Sequence, residues 1–248
     1  MTRATCWSLL LLCLIAGQAV ADRGGSAKFF VKEIEASRQI EPGATLYIEN
    51  HEGDLTITTW DRNDIEAKAT LEMVNPDKKN EELFAAKSKV TLEPYRDGYR
   101  LVVETPDGLP IELKRMPNMV RGQVEVRGKG GTYWPLAKAD LEVTVPRQCN
   151  LNLETSYGDV AIGELVGAID VTNDSGAVEI LNCRGPIQTE NSYGSVRISA
   201  CEGDLEIQND SGQVQLLDIT GNALVRASYE AVDVERVSGK VEIRNDSG

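Results

Sequence analysis

The 248-residue chain carries 26 Lys plus Arg against 39 Asp plus Glu, a formal net charge of −13, with 41% hydrophobic and 5% aromatic residues. That balance excludes nucleic acid as the expected partner, because neutralising phosphates needs clustered cations. The length suffices for one or two domains with cores of their own, and five cysteines are too sparse for a disulfide scaffold.

Arg3, the apolar run from Leu9 to Ala16 and the small residues Ala19-Val20-Ala21 read as a signal peptide, residues 1–21, cut after Ala21. The run is shorter than the roughly 20 residues a bilayer-spanning helix needs, and no later stretch reaches that length. The mature chain is therefore expected to be exported without a transmembrane span, to a periplasmic, cell-surface or secreted location. Cys13 follows Leu12 rather than a small residue, which argues against lipoprotein processing. An uncleaved anchor is the remaining alternative.

Residues 22–148 are expected to form a β-rich cap domain. Leu46 and Ile48, the turn Asn50-His51-Glu52-Gly53, then Leu55 and Ile57 make one strand-turn-strand unit. His51 is expected as an exposed turn residue. Alternation continues at Ile65, Ala67, Ala69, Leu71 and Met73, and again at Leu141, Val143 and Val145. Asn75-Pro76 predicts the start of one short helix ending near Lys89, with Leu83 and Phe84 available for packing. Strands are expected at 89–92 and 99–103. The segment from Thr105 to Pro135, rich in Gly, Pro and charge, reads as a long loop with one hairpin. Its Gly128, Gly130 and Gly131 lack the strand-to-helix context of a phosphate loop.

Residues 149–248 repeat. Lines of 18 residues from Gly167 give GAIDVTNDSGAVEILNCR, GPIQTENSYGSVRISACE, GDLEIQNDSGQVQLLDIT, GNALVRASYEAVDVERVS and GKVEIRNDSG without a gap, and Cys149 to Val166 fits the same register. Apolar residues keep fixed columns two apart, Ile169 and Val171 before each turn, Val178 and Ile180 after it, with polar Asp170 and Glu179 between them. A period of two means strand. Stacked at about 4.8 Å, the columns join into one core, so the expected class is all-β, a β-solenoid of 18-residue rungs. A flat meander of the same strands is the alternative. This half holds 6 bases and 17 acids against 19 and 22 in residues 22–148, a solubilising surface for a long β stack.

The turns alternate on a 36-residue beat: Asn-Asp-Ser-Gly at 173, 209 and 245, and a tyrosine turn at Tyr157, Tyr193 and Tyr229. Turn chemistry accounts for these residue types. The functional reading is an edge where Asp174, Asp210 and Asp246 with Tyr157, Tyr193 and Tyr229 contact cations or a carbohydrate. Asp residues two rungs apart lie about 10 Å from one another, too far to share one ion, and no metal or other cofactor is expected. Cys183 and Cys201 share a core column on neighbouring rungs. They are either disulfide-bonded or two buried thiols. The chain stops in the middle of a rung at Gly248: either the sequence is truncated or the uncapped rung offers an edge for self-association.

The layout from Ile48 through Trp60-Asp61, the Leu141 to Pro146 run ending in Val-Pro, and the stack of units with glycine in the turn resembles the bacterial putative-adhesin family of β-strand repeats, a domain of unknown function. The resemblance spans nearly all of the mature chain. It implies an extracytoplasmic β-helix-like protein with no assigned catalytic residues. The expected function is non-enzymatic binding or adhesion at the cell envelope, to a protein or carbohydrate ligand. A structural or regulatory scaffold and a carbohydrate-active enzyme are the alternatives, the last requiring a catalytic pair of acids that acidity alone does not place.

Overall fold

The computed structural model of the chain describes residues 19–20, 29–74, 78–104, 126–128, 131–133 and 137–247. Apart from Ala19–Val20, the signal-peptide segment lies outside these residues, as do Asn75-Pro76 and most of the long loop. The first strands are β1 (Ala19–Val20), β2 (Phe29–Gln39), β3 (Thr45–Glu52), β4 (Leu55–Trp60) and β5 (Asp64–Val74). Helix α1 (Lys78–Lys87), the hairpin β6 (Lys89–Tyr95) and β7 (Gly98–Glu104), the small hairpin β8 (Val126–Gly128) and β9 (Gly131–Tyr133), and β10 (Ala137–Pro146) follow.

From Asn150 onward the repeat dictates the fold. Long strands β11 (Asn150–Tyr157), β13 (Ile169–Ser175), β15 (Ile187–Tyr193), β17 (Leu205–Ser211), β19 (Ala223–Tyr229) and β21 (Val241–Ser247) stack in one sheet. Between them β12 (Val160–Gly163), β14 (Val178–Leu181), β16 (Val196–Glu202), β18 (Val214–Thr220) and β20 (Val232–Val237) stack in a second. Every pairing here is parallel with a step of 18 residues, as in Ile169 to Ile187 to Leu205. A meander would pair consecutive strands antiparallel, so the solenoid reading holds, with about 5 turns. The alternating columns behave as their polarity demands: Ile169, Val171, Val178 and Ile180 are buried, while the side chains between them face outward.

Each rung also has a third, short side. After the second strand the chain bends at Glu164, Asn182, Ala200, Asp218 and Arg236, whose φ angles lie between 54° and 59°. The next residue, Leu165, Cys183, Cys201 or Ile219, turns inward and is buried, and single bridges join Val166, Arg184 and Glu202 from rung to rung. A glycine corner then returns the chain to the long strand. At Gly203, φ is +148° and a Cβ would stand 2.0 Å from the carbonyl oxygen of Gly185, so only a residue without a side chain fits.

The strand-turn-strand unit near Asn50 is a true rung inserted out of chain order. Leu46 and Ile48 pair in parallel with Leu151 and Leu153, and Leu55 and Ile57 with Val160 and Ile162. Strand β10 lies on the other side of β4, so the chain passes over this rung to begin β11, held there by Gly43 N to Gln148 O (2.9 Å) and Arg147 N to Trp60 O (3.0 Å). Beyond it, β10, parallel to β4, and then β5 and β2, each antiparallel to its neighbour, extend one sheet, while β7 and β6 extend the other. One continuous core runs from Ile34 to Val225. Helix α1 packs Phe84 edge-on against Phe30, with ring centroids 6.1 Å apart. The buried Lys32 ammonium donates to the Ala85 (2.6 Å) and Ser88 (3.0 Å) carbonyls at the helix end, where the backbone dipole favours a cation.

Candidate functional site

The corner between the long strand and its successor sets one surface line. Strand parity puts Asn173 inside, Asp174 outside and Ser175 at the edge, and Gly176 then reverses the chain with φ +131°. Repeated rung by rung, the edge column reads Glu52, Tyr157, Ser175, Tyr193, Ser211, Tyr229 and Ser247, each paired with the next. The predicted 36-residue beat therefore becomes a spatial one, a tyrosine on every second rung.

Tyr157, Tyr193 and Tyr229 are 54%, 65% and 60% exposed. None of their side chains makes a hydrogen bond, ring contact or cation–π contact with another described residue. Tyr47, by contrast, donates its hydroxyl to Asp97 at 2.6 Å and packs edge-on against Tyr95, while Tyr99 lies under the Arg38 guanidinium. Each of these tyrosines has a partner for its ring, and Tyr47 one for its hydroxyl as well. The edge tyrosines present theirs to solvent. Asp174, Asp210 and Asp246 flank them on the alternate rungs, exposed, with Ser156, Ser192 and Ser228 between. Among the described residues no group of three or more His, Cys, Asp or Glu is arranged to hold a metal ion. His51 occupies the same flanking column on the inserted rung and is exposed as expected, though it lies within β3 rather than in a turn. Glu52, next to Tyr157 at the head of the column, has its carboxyl raised above the usual range by burial.

Behind the edge stands a ladder that turn chemistry alone does not reveal. Asn50, Asn173, Asn191 and Asn209 are buried, 0 to 4% exposed. Each donates its amide to the carbonyl three residues on, at Gly53, Gly176, Gly194 and Gly212. Along the stack Thr155 donates to Asn173 Oδ1 at 2.6 Å, Asn173 to Asn191 Oδ1 at 3.1 Å, and Asn191 to Asn209 Oδ1 at 3.1 Å. These bonds lock the Tyr157 and Tyr193 corners to their neighbours; at the Tyr229 corner Ala227 fills the column, and Asn245 donates to the Glu230 carbonyl at 3.0 Å instead. The signal was present in the sequence: Ile169, Val171 and Asn173 share the inward parity.

The cysteines lie elsewhere. Cys183 and Cys201 are free, buried thiols on adjacent rungs of the short side, and the Cys183 backbone N–H donates to Cys201 Sγ at 3.4 Å. The neighbouring Cys201 sulfur, then burial, pushes the Cys183 thiol up. Burial alone pushes Cys149 up to about 12. An open groove of about 630 Å³ runs across the start of the long strands, lined by Asp170, Gln188, Glu206, Leu224 and Glu242 among others. Burial raises the Asp170 carboxyl, with help from Glu190. The groove sits at the opposite end of these strands from the tyrosines and joins none of them.

No family model matches the chain, and no curated protein matches its sequence. Among solved structures, a putative cell adhesion protein from Clostridium sporogenes is 12% identical, with a TM-score of 0.36 over 88% of this chain and 96% of its own. A putative adhesin from Bacteroides fragilis is 11% identical, with a TM-score of 0.37 over 86% and 97%. Another from Parabacteroides merdae is 10% identical, with a TM-score of 0.27 over 86% and 96%. The solenoid rests on the strand register itself, and these likenesses add nothing to it about function.

Proposed function

We propose that this chain is an exported, non-enzymatic binding protein of the cell envelope, and that it makes contact through the edge carrying Tyr157, Tyr193 and Tyr229. One observation carries the reading: three large aromatic side chains, each more than half exposed and without a side-chain partner among the described residues, are held at a fixed interval on a hydrogen-bonded stack. Exposed aromatics that a fold does not use internally are the residue type that dominates contact surfaces. The acids of the stack support a scaffold rather than a catalytic role. Glu179, Glu206 and Asp218 pair with Arg197, Arg226 and Arg236 on neighbouring rungs. Export is supported by the pattern of residues 1–21, and no helix among the described residues is long and apolar enough to cross a membrane.

The test is sedimentation of the purified chain with washed, insoluble envelope fragments. The wild type is expected in the pellet. The triple variant Tyr157→Ser/Tyr193→Ser/Tyr229→Ser is expected in the supernatant with unchanged far-ultraviolet circular dichroism and Tm, because serine already fills this column at Ser175, Ser211 and Ser247. A wild type that stays in solution, or a triple variant that pellets equally well, overturns the reading.

A further inference from the structure

We infer that the ligand of the tyrosine edge is a neutral, extended β-1,4-linked glycan lying along the stack with one tyrosine per disaccharide. This rests on the binding role just proposed and adds the chemistry of the partner. Tyr157, Tyr193 and Tyr229 pair through the intervening Ser175 and Ser211, so they stand two rungs apart. At about 4.8 Å per rung that interval is about 10 Å. In a β-1,4-linked chain each sugar is turned over relative to the one before it, so the same face recurs on every second sugar. The recurring unit, one disaccharide, is as long as two rungs. A polymer of this kind offers a like pyranose face to each of the three rings in turn. An α-1,4-linked chain coils and loses that register after the first contact.

The chemistry agrees with the spacing. The axial C–H face of a pyranose is an apolar plate that stacks on a phenol ring, and the tyrosine hydroxyl stays free for the sugar rim. Beside the rings, Asp174 and Asp210 recur at the same two-rung interval, offset by one rung, with Ser156, Ser192 and Ser228 between them. A line of exposed acceptors and hydroxyls suits the hydroxyl or amide hydrogens that such a glycan presents on one side once per disaccharide. The same carboxylates, on a chain of net charge −13, repel a polyuronate, which excludes a polyanionic glycan. Single stacking contacts are weak. Three in register on one ligand multiply, because after the first contact the others are intramolecular.

Calorimetric titration of the full chain tests this, with cellohexaose and chitohexaose as separate arms. Maltohexaose serves as the α-linked control and a β-1,4-linked mannuronate oligomer of equal length as the charged one. One or both neutral β-1,4 hexamers are expected to bind, at least tenfold more tightly than their disaccharides, with neither control binding. Tyr193→Ser is expected to weaken hexamer binding about tenfold. The double variant Tyr193→Ser/Ser175→Tyr keeps three tyrosines in the wrong phase and is expected to be no better than Tyr193→Ser alone. Binding by that double variant equal to wild type, binding of maltohexaose equal to that of the β-linked hexamers, or no heat from either neutral hexamer at millimolar concentration overturns the inference. If the triple tyrosine variant loses the envelope fragments while both hexamers stay silent, the glycan assignment falls and the binding edge stands. If the wild type binds neither, both fall.

Discussion

Asn191 shows how much of this fold is decided one side chain at a time. Its Oδ1 accepts from Asn173 and its amide donates to Asn209 Oδ1 at 3.1 Å, both buried, and to Gly194 O at 3.0 Å, partly buried. Asn191→Ala leaves the Asn209 oxygen without its donor and weakens the hold on Asn173, so urea unfolding should show a loss of about 2 kcal/mol or more, whereas Asn191→Thr, which copies Thr155, should lose less. Thr189 is the converse. Its side chain is fully buried between Val171 and Ile207, and its hydroxyl finds no partner among the described residues. Thr189→Val removes that orphan without changing the shape, and should stabilise the chain by about 1–3 kcal/mol in the same assay. At this scale the sequence was partly legible. The tyrosines and aspartates stand where their columns put them, but the residue type of Asn173 suggests a turn although its parity with Ile169 and Val171 points inward. The left-handed bend was hidden for another reason. Of Glu164, Asn182, Ala200, Asp218 and Arg236, only the Asn and Asp are types that take that conformation readily, so stacking rather than local preference imposes it.

The rung is the unit at the next scale, and its contacts reach only the rungs above and below. Removing one whole unit, Gly185 through Glu202, joins Arg184 to Gly203 in the same register and brings every buried column back onto an equivalent residue. This deletion should therefore fold to a native-like circular dichroism spectrum with a single cooperative unfolding transition, whereas removing nine residues from the same segment should not, since it sets a long strand against a short one. The strands of the repeat and the rung near Asn50 were visible in the sequence because each is a local alternation. Its position in the stack was not, because the pairing of Leu46 with Leu151 spans a hundred residues of chain and depends on β10 passing over it. Strand β2 escaped for a specific reason. Lys32 sits on its inward face between Phe30 and Ile34, breaking the apolar alternation, and is tolerated there only because the end of α1 supplies two carbonyls.

Over the whole molecule the charge is lopsided, and the ion pairs that temper it are surface pairs such as Arg184–Glu202 and Arg226–Glu206, each worth little. The net effect of −13 is self-repulsion, which salt screens. Raising sodium chloride well above physiological strength should therefore raise Tm rather than lower it; a fall would mean that the pairs along the columns outweigh the repulsion. A last consequence concerns the tyrosine beat. Sliding the stack by one rung superposes its interior on itself, but exchanges Tyr193 for Ser211 at the edge, so interior and surface have different translational symmetries. A gene that gained or lost 18 codons would still encode a sound protein, silently out of step with any regular polymer lying against it, and only changes of 36 would keep the two in phase. Folding cannot police the parity of the rungs; if parity is kept, it is kept by what lies on the edge.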